Sequence, residues 1–246
     1  MSISSPKHRP EHDPSYQKHF DPLESSPEVL DKLIQLLGVP DEIAFEDVFA
    51  LDEPEFLPRP ALAMILVFPT TEAYESRKAA FEAGRPLYCG SGDEDPVIWF
   101  KQSINNACGL YAVLHALCNS EAPAAYRCES NPASLLGGHY LVAQVLEDSA
   151  ELEQAYAKVA VKGCSAVPEH AEDEVDFHYI FFARSNKDAH LYELDGDCKG
   201  PIDTGVDVGP EHDILAPDSL TMIKRYIDLE RGNPNFNLMA LVRRKA

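Results

Sequence analysis

Apolar and polar positions change their period several times along the chain, and each change marks an element. Residues 27–37 read as a helix, with Ser26 placed to cap it, Pro27 at its first position and Gly38 to close it. Residues 71–83, followed by Gly84, residues 134–160 apart from the Gly137-Gly138 pair, and residues 219–229 also carry a helical pattern. Between them, residues 61–68 and 177–183 are short apolar runs; the second is apolar on both alternating faces, as in a central strand. Residues 190–195, ended by Gly196, and 236–243 read as further strands. One more helix follows Gly109 and is apolar almost all round. Leu110, Val113, Leu114 and Leu117 mark one face, and Tyr111, Ala112 and Ala116 fill much of the rest, so it belongs inside the molecule. Helices mixed with mainly antiparallel strands predict an α+β fold rather than a doubly wound sheet.

No linker-like break interrupts the 246 residues after about residue 20, so residues 21–246 are expected to form one domain. Residues 1–20 are rich in Ser, Pro, His and charge and are expected to be an unstructured arm. That arm has no secretory apolar core, and no apolar run approaches the ~20 residues of a membrane span, so no membrane partner is expected. A net charge of −20 argues against a nucleic-acid partner, which needs basic patches. The acidity either keeps the protein soluble or steers a basic partner, and residues 169–176 are its densest run. The six cysteines, at 89, 108, 118, 128, 164 and 198, form no Cys-x-x-Cys pair. A structural zinc is therefore not expected, nor any other metal or cofactor. Reduced thiols in a monomeric protein of the cytoplasm, or of cytoplasm and nucleus, are the economical expectation.

Chemistry concentrates where a loop becomes the apolar helix, in Lys101-Gln-Ser-Ile-Asn-Asn-Ala-Cys-Gly109. With Asn105 or Asn106 as N-cap, Cys108 falls in the first turn, where unpaired N–H groups and the helix dipole favour a thiolate. Taken alone, it is better read as a small buried hydrophobe. A nucleophilic cysteine needs a base. His115 lies seven residues along the same helix, an axial rise of about 10 Å, too far for a hydrogen bond; a core or supporting role suits it better. His178, in Val-Asp-Phe-His-Tyr-Ile-Phe-Phe-Ala183, lies on the central strand. If that strand forms a hairpin with residues 190–195 and Ala183 faces His190, Asp195 lies opposite His178. Opposed residues share a face, with Cβ atoms roughly 4.5–5.5 Å apart. A one-residue slip would turn Asp195 away, and Asp188, Glu193 and Asp197 are rival acids. Cys108, His178 and Asp195 then make a papain-like set, and Gln102 with the Cys108 backbone N–H suits an oxyanion hole.

These pieces together resemble the ubiquitin carboxyl-terminal hydrolase family of cysteine peptidases. The resemblance rests on Pro22-Leu-Glu-Ser-Ser-Pro-Glu-Val29, Phe45-Glu-Asp-Val48, Pro58-Arg-Pro60 with the strand after it, the Cys108 block, Val175-Asp-Phe-His178 and His190-Leu-Tyr-Glu-Leu-Asp-Gly196. It implies a papain-like fold, a central mainly antiparallel sheet flanked by helices with a knotted backbone. It implies Cys108 as nucleophile, His178 as general base and proton donor, Asp195 as the residue orienting it and Gln102 as transition-state stabiliser. It also implies ubiquitin as substrate, cleaved after its terminal glycine. A crossover loop at about residues 161–175 would restrict leaving groups to small or unstructured adducts. A ubiquitin-like modifier as substrate, a non-catalytic ubiquitin-binding protein and a papain-like acyltransferase are the competing readings. Leu110 and Tyr111 stand where the family often has small or β-branched residues, and residues 88–96 look particular to this chain.

Overall fold

A computed structural model describes residues 16–90, 93–120, 139–161, 177–209, 211–230 and 235–244. The strands are β1 (Lys18–His19), β2 (Ile43–Asp47), β3 (Ala61–Pro69), β4 (Ile104–Asn105), β5 (Phe177–Arg184), β6 (His190–Leu194), β7 (Ile202–Asp207) and β8 (Asn237–Arg243). The helices are α1 (Pro27–Leu36), α2 (Glu72–Ala83), α3 (Cys108–Asn119), α4 (His139–Asp148), α5 (Ala150–Ala160) and α6 (Pro217–Leu229). Six strands form one sheet in the order β2-β8-β3-β5-β6-β7, antiparallel at every pairing. With helices packed on it, this is the expected α+β architecture.

The sheet divides the core in two because successive strand residues point to opposite faces. Ala63, Ile65 and Val67 of β3 pack with Tyr179, Phe181 and Ala183 of β5 beneath α1, α3 and α5. Met64, Leu66 and Phe68 pack with Ile180 and Phe182 beneath α6. Both faces of β3 and β5 are thus covered, which is why each reads as an unbroken apolar run. In α3, Leu110 and Val113 are wholly buried, each worth about 2 kcal/mol of transfer free energy.

Helix ends follow local chemistry. Ser26 Oγ accepts from Val29 N at 3.3 Å and Thr71 Oγ1 from Tyr74 N at 3.1 Å, opening α1 and α2. The helical stretch expected over residues 134–160 breaks at Ser149, whose hydroxyl caps α5 through Leu152 N at 3.2 Å. The Gly137-Gly138 pair lies outside the described residues, as do the acidic run 169–176 and all but the first residue of the expected crossover loop. At the end of the expected arm, Lys18 and His19 pair in parallel with Ile104 and Asn105, so ordered backbone pairing begins before residue 21. Among the described residues no helix is long and apolar enough to cross a membrane.

Candidate active site

Cys108 is the first residue of α3 and is 7% exposed. The cap is not an asparagine: Ala107 holds that position and Asn105 belongs to β4. Asn106 adopts a φ of 57°, a left-handed conformation that Asn tolerates better than most residues, and turns the chain from β4 into the helix. Since no side chain caps α3, the N–H groups of its first turn are not consumed by one.

His178 enters β5 level with Phe68 of β3 and accompanies Ile180 and Phe182 on the α6 face of the sheet. Its Nε2–H donates to Asp195 Oδ1 at 2.9 Å, with the imidazole 12% and the carboxylate 1% exposed. The hairpin register differs from the expected one by two residues. Ala183 faces Tyr192, and Phe181 faces Leu194, so Asp195 falls diagonal to His178 rather than opposite it. A shift of two keeps every side chain on its face, and a diagonal neighbour remains within reach. Ser185 sets this register: its N–H donates to His190 O at 2.9 Å and its hydroxyl accepts from Lys187 N at 3.1 Å.

The three rival acids are engaged elsewhere. Asp188 accepts from Tyr192 Oη at 2.8 Å, Glu193 from Tyr226 Oη, and Asp197 from Lys78 Nζ at 2.7 Å. Burial pulls the His178 pKa down, but the charge and hydrogen bond of Asp195, with a smaller contribution from Cys108, outweigh it and leave it pushed up to about 10. Nε2 is spent on Asp195, so Nδ1 is the nitrogen left for Cys108. Burial works against ionisation of Asp195, yet His178 and Lys78 hold its carboxyl well below the usual range. The imidazole is thus charged at neutral pH and can give a proton at Nδ1.

A strap of residues 98–103 ties the helix of Cys108 to the turn of Asp195. On the helix side, Asn119 of α3 exchanges hydrogen bonds with the backbone of Ile98, both at 2.7 Å, and Phe100 N donates to His115 Nε2 at 2.9 Å. Burial lowers the pKa of His115 to about 3, so it serves as a neutral acceptor, stacked between Phe100 and Phe181 in the core. Its expected role away from the chemistry holds. On the other side Trp99 Nε1 donates to Asp195 O at 3.0 Å and Gln102 N to Gly196 O at 2.8 Å. Gln102 is 7% exposed, and its Nε2 donates one hydrogen to Ile104 O at 3.1 Å, which fixes the amide and leaves a second hydrogen. The bulk of Tyr111 has a local purpose too: its hydroxyl accepts from Ser103 N at 3.1 Å. Lys78, Trp99 and Asn119 carry no sequence signal of a site.

Gly196 makes the strap's approach testable. A Cβ there would stand 3.0 Å from both Gln102 Cβ and Gln102 N, and 3.2 Å from Phe100 O. Because two of those neighbours are backbone, the strap itself must move. Gly196→Ala is expected to cut kcat by about 10²-fold with KM little changed, the signature of a displaced oxyanion donor. Steady-state kinetics of the parent and the variant, on a substrate with a fluorescent leaving group, measure it.

Cys89, Cys108 and Cys198 carry free thiols, whereas Cys118 is disulfide-bonded, so the expectation of reduced thiols fails there. Among the described residues no cluster of His, Cys, Asp and Glu is arranged to hold a metal.

Comparison with known proteins bears on the chain as a whole. Residues 20–228 match the family described as ubiquitin carboxyl-terminal hydrolase, family 1. The chain is 32% identical over 241 residues to a probable ubiquitin carboxyl-terminal hydrolase of Dictyostelium discoideum, covering 93% of this chain and 89% of that one. It is 31% identical over 228 residues to human ubiquitin carboxyl-terminal hydrolase isozyme L1, covering 89% and 96%. In structure it is similar to the catalytic domain of Trichinella spiralis UCH37, solved bound to ubiquitin vinyl methyl ester. The TM-score is 0.64 at 21% identity, over 94% of this chain and 98% of that one. A free thiol at a helix start, a charged imidazole and a chain-length match of this kind have one common reading: the chain belongs to the ubiquitin carboxyl-terminal hydrolase family, the cysteine peptidases of family 1.

Proposed function

We propose that the protein cleaves small or unstructured adducts from the C-terminal glycine of ubiquitin through Cys108, His178, Asp195 and Gln102. The observation that carries this reading is the imidazole of His178, bound through Nε2 to a buried carboxylate, with Cys108 at the start of α3 among the groups that raise its pKa. With its proton already on His178 Nδ1, the Cys108 sulfur adds as a thiolate to the glycine carbonyl, and the oxyanion is held by the spare Gln102 Nε2–H and the Cys108 backbone N–H. The carbon–nitrogen bond breaks as His178 Nδ1 gives its proton to the departing amine. Neutral His178 then takes a proton from water, whose oxygen attacks the thioester. The sulfur departs and the imidazolium is restored. Asp195 keeps its charge throughout and fixes the tautomer. No metal or cofactor enters these steps.

Ubiquitin bearing a vinyl methyl ester at its C-terminus tests the assignment by trapping the nucleophile. The expected product is one ubiquitin per chain, and peptide mapping places it on Cys108. An adduct on another cysteine, or none with reduced protein that still binds ubiquitin, would overturn it. A faster reaction with the same electrophile on a ubiquitin-like modifier would move the substrate, not the mechanism.

A further inference from the structure

We propose that Lys78 is a positioning residue of the hydrolytic cycle. It is the standing counter-charge of Asp195, which lets His178 lose and regain its proton without stranding a buried carboxylate. This rests on reading Cys108, His178 and Asp195 as the reacting groups.

The geometry is specific. Lys78, from the middle of α2, places Nζ 3.1 Å from Asp195 Oδ2 and 2.7 Å from Asp197 Oδ2, with its side chain 13% exposed. Asp195 is fully engaged around it. Oδ1 accepts from His178 Nε2 at 2.9 Å and from Asp197 N at 2.8 Å, and Oδ2 accepts from the Cys198 thiol at 3.3 Å. Only two of these neighbours are cationic, His178 and Lys78. A buried carboxylate is stable as an ion only when paired.

The chemistry makes the first of those cations transient. When His178 protonates the leaving nitrogen it becomes neutral, and it must stay neutral until water supplies a proton. Were it the sole partner, Asp195 would favour the imidazolium so strongly that the histidine of the acyl-enzyme would take a proton from solvent before it could take one from the attacking water, slowing deacylation. Lys78 does not titrate with the cycle: burial works against its charge, but Asp195 and Asp197 more than offset that and raise its pKa. Its positive charge also opposes the proton on His178, tempering the base that Asp195 strengthens.

Other groups facing this cluster are Tyr74 from α2, whose ring centroid lies 5.8 Å from Lys78 Nζ, Glu193 from β6, Cys198 from the turn after it, Tyr226 from α6 and Cys108 from α3. Burial raises the pKa of Cys198, and Asp195 adds to it, so that thiol stays protonated. Glu193, pushed up to about 7 by burial, is the neighbour that titrates near neutrality. The experiment therefore includes a Glu193→Gln background.

Lys78→Met and Lys78→Arg are compared with the parent, each also in the Glu193→Gln background, active sites being counted by capture with ubiquitin vinyl methyl ester. The expected result for Lys78→Met is kcat per active site down about tenfold or more, with KM for ubiquitin substrates within about twofold. Acid quenching should reveal a ubiquitin thioester absent from the parent, and the pH for half-maximal deacylation should rise. Lys78→Arg should restore kcat to within about threefold. Activity lost only in proportion to active sites, with no thioester and an unmoved pH profile, would reduce Lys78 to a fold contact; so would a normal kcat in Lys78→Met. Failure of the underlying reading looks different: the parent itself would release no amine, or Cys108→Ala would still release it.

Discussion

Cys108→Ala is expected to lower release of a fluorescent amine from the C-terminus of ubiquitin by about 10⁶-fold, to background, while ubiquitin still binds. The size of the effect follows from the absence of a substitute nucleophile among the described free thiols. Cys198 is buried, its S–H donates to Asp195, and its pKa is raised, so it remains a thiol. Cys89 is exposed and its thiol donates to the Leu87 carbonyl, with no imidazole bonded to it among the described residues. The fold should survive, because the change removes one atom at a helix start whose packing rests on Leu110, Tyr111 and Val113. Progress curves and a direct ubiquitin titration are the two measurements. Binding without turnover in the parent would instead favour a ubiquitin-binding protein that does no chemistry.

Asp195→Asn is the next largest effect, a loss of about 10³–10⁴ in kcat. With its oxygen toward His178, the new amide must point its nitrogen at the Lys78 ammonium, donor against donor. With its nitrogen toward His178, it forces the imidazole proton onto Nδ1, the atom that has to face Cys108. Either way the proton path is wrong. The alkaline limb of kcat/KM, near pH 10 in the parent, should fall toward the ordinary imidazole value of 6.5, because the main influence raising the His178 pKa is gone. Stability changes with a definite sign as well. The raised His178 pKa contributes fully below 6.5 and is lost as pH rises through about 10. The depressed Asp195 pKa contributes above its ordinary 3.8 and is lost as pH falls below it. The parent's advantage over Asp195→Asn in thermal unfolding should thus be greatest between those ordinary values. A flat difference across pH would argue against the ion pair.

Much of this site is legible in the residues alone because its parts obey local rules. A cysteine after an asparagine pair and before an all-apolar run belongs at the start of a buried helix, and α3 begins there. The period-two alternation of residues 177–183 puts His178 on a defined face, and parity alone suffices to bring Asp195 to it. What local rules do not contain is the register, since closure by Ser185 and His190 depends on one hydroxyl capping the turn. Nor do they contain Lys78, on a helix with no buried residue of its own and charged throughout, where nothing marks one cation as the one that turns inward. The break at Ser149 was equally hidden, since serine is common inside helices and at their starts.

The strap that holds Gln102 also contains Trp99, the only tryptophan in the chain, with its indole N–H on the main-chain oxygen of Asp195. Indole emission depends on burial and on that hydrogen bond, and Trp99 is 3% exposed. The protein therefore carries an intrinsic optical probe between Asp195 and the strap of Gln102, with no second indole to dilute the signal. Occupancy of the proposed site is expected to shift the colour of that emission, in real time and on unlabelled protein.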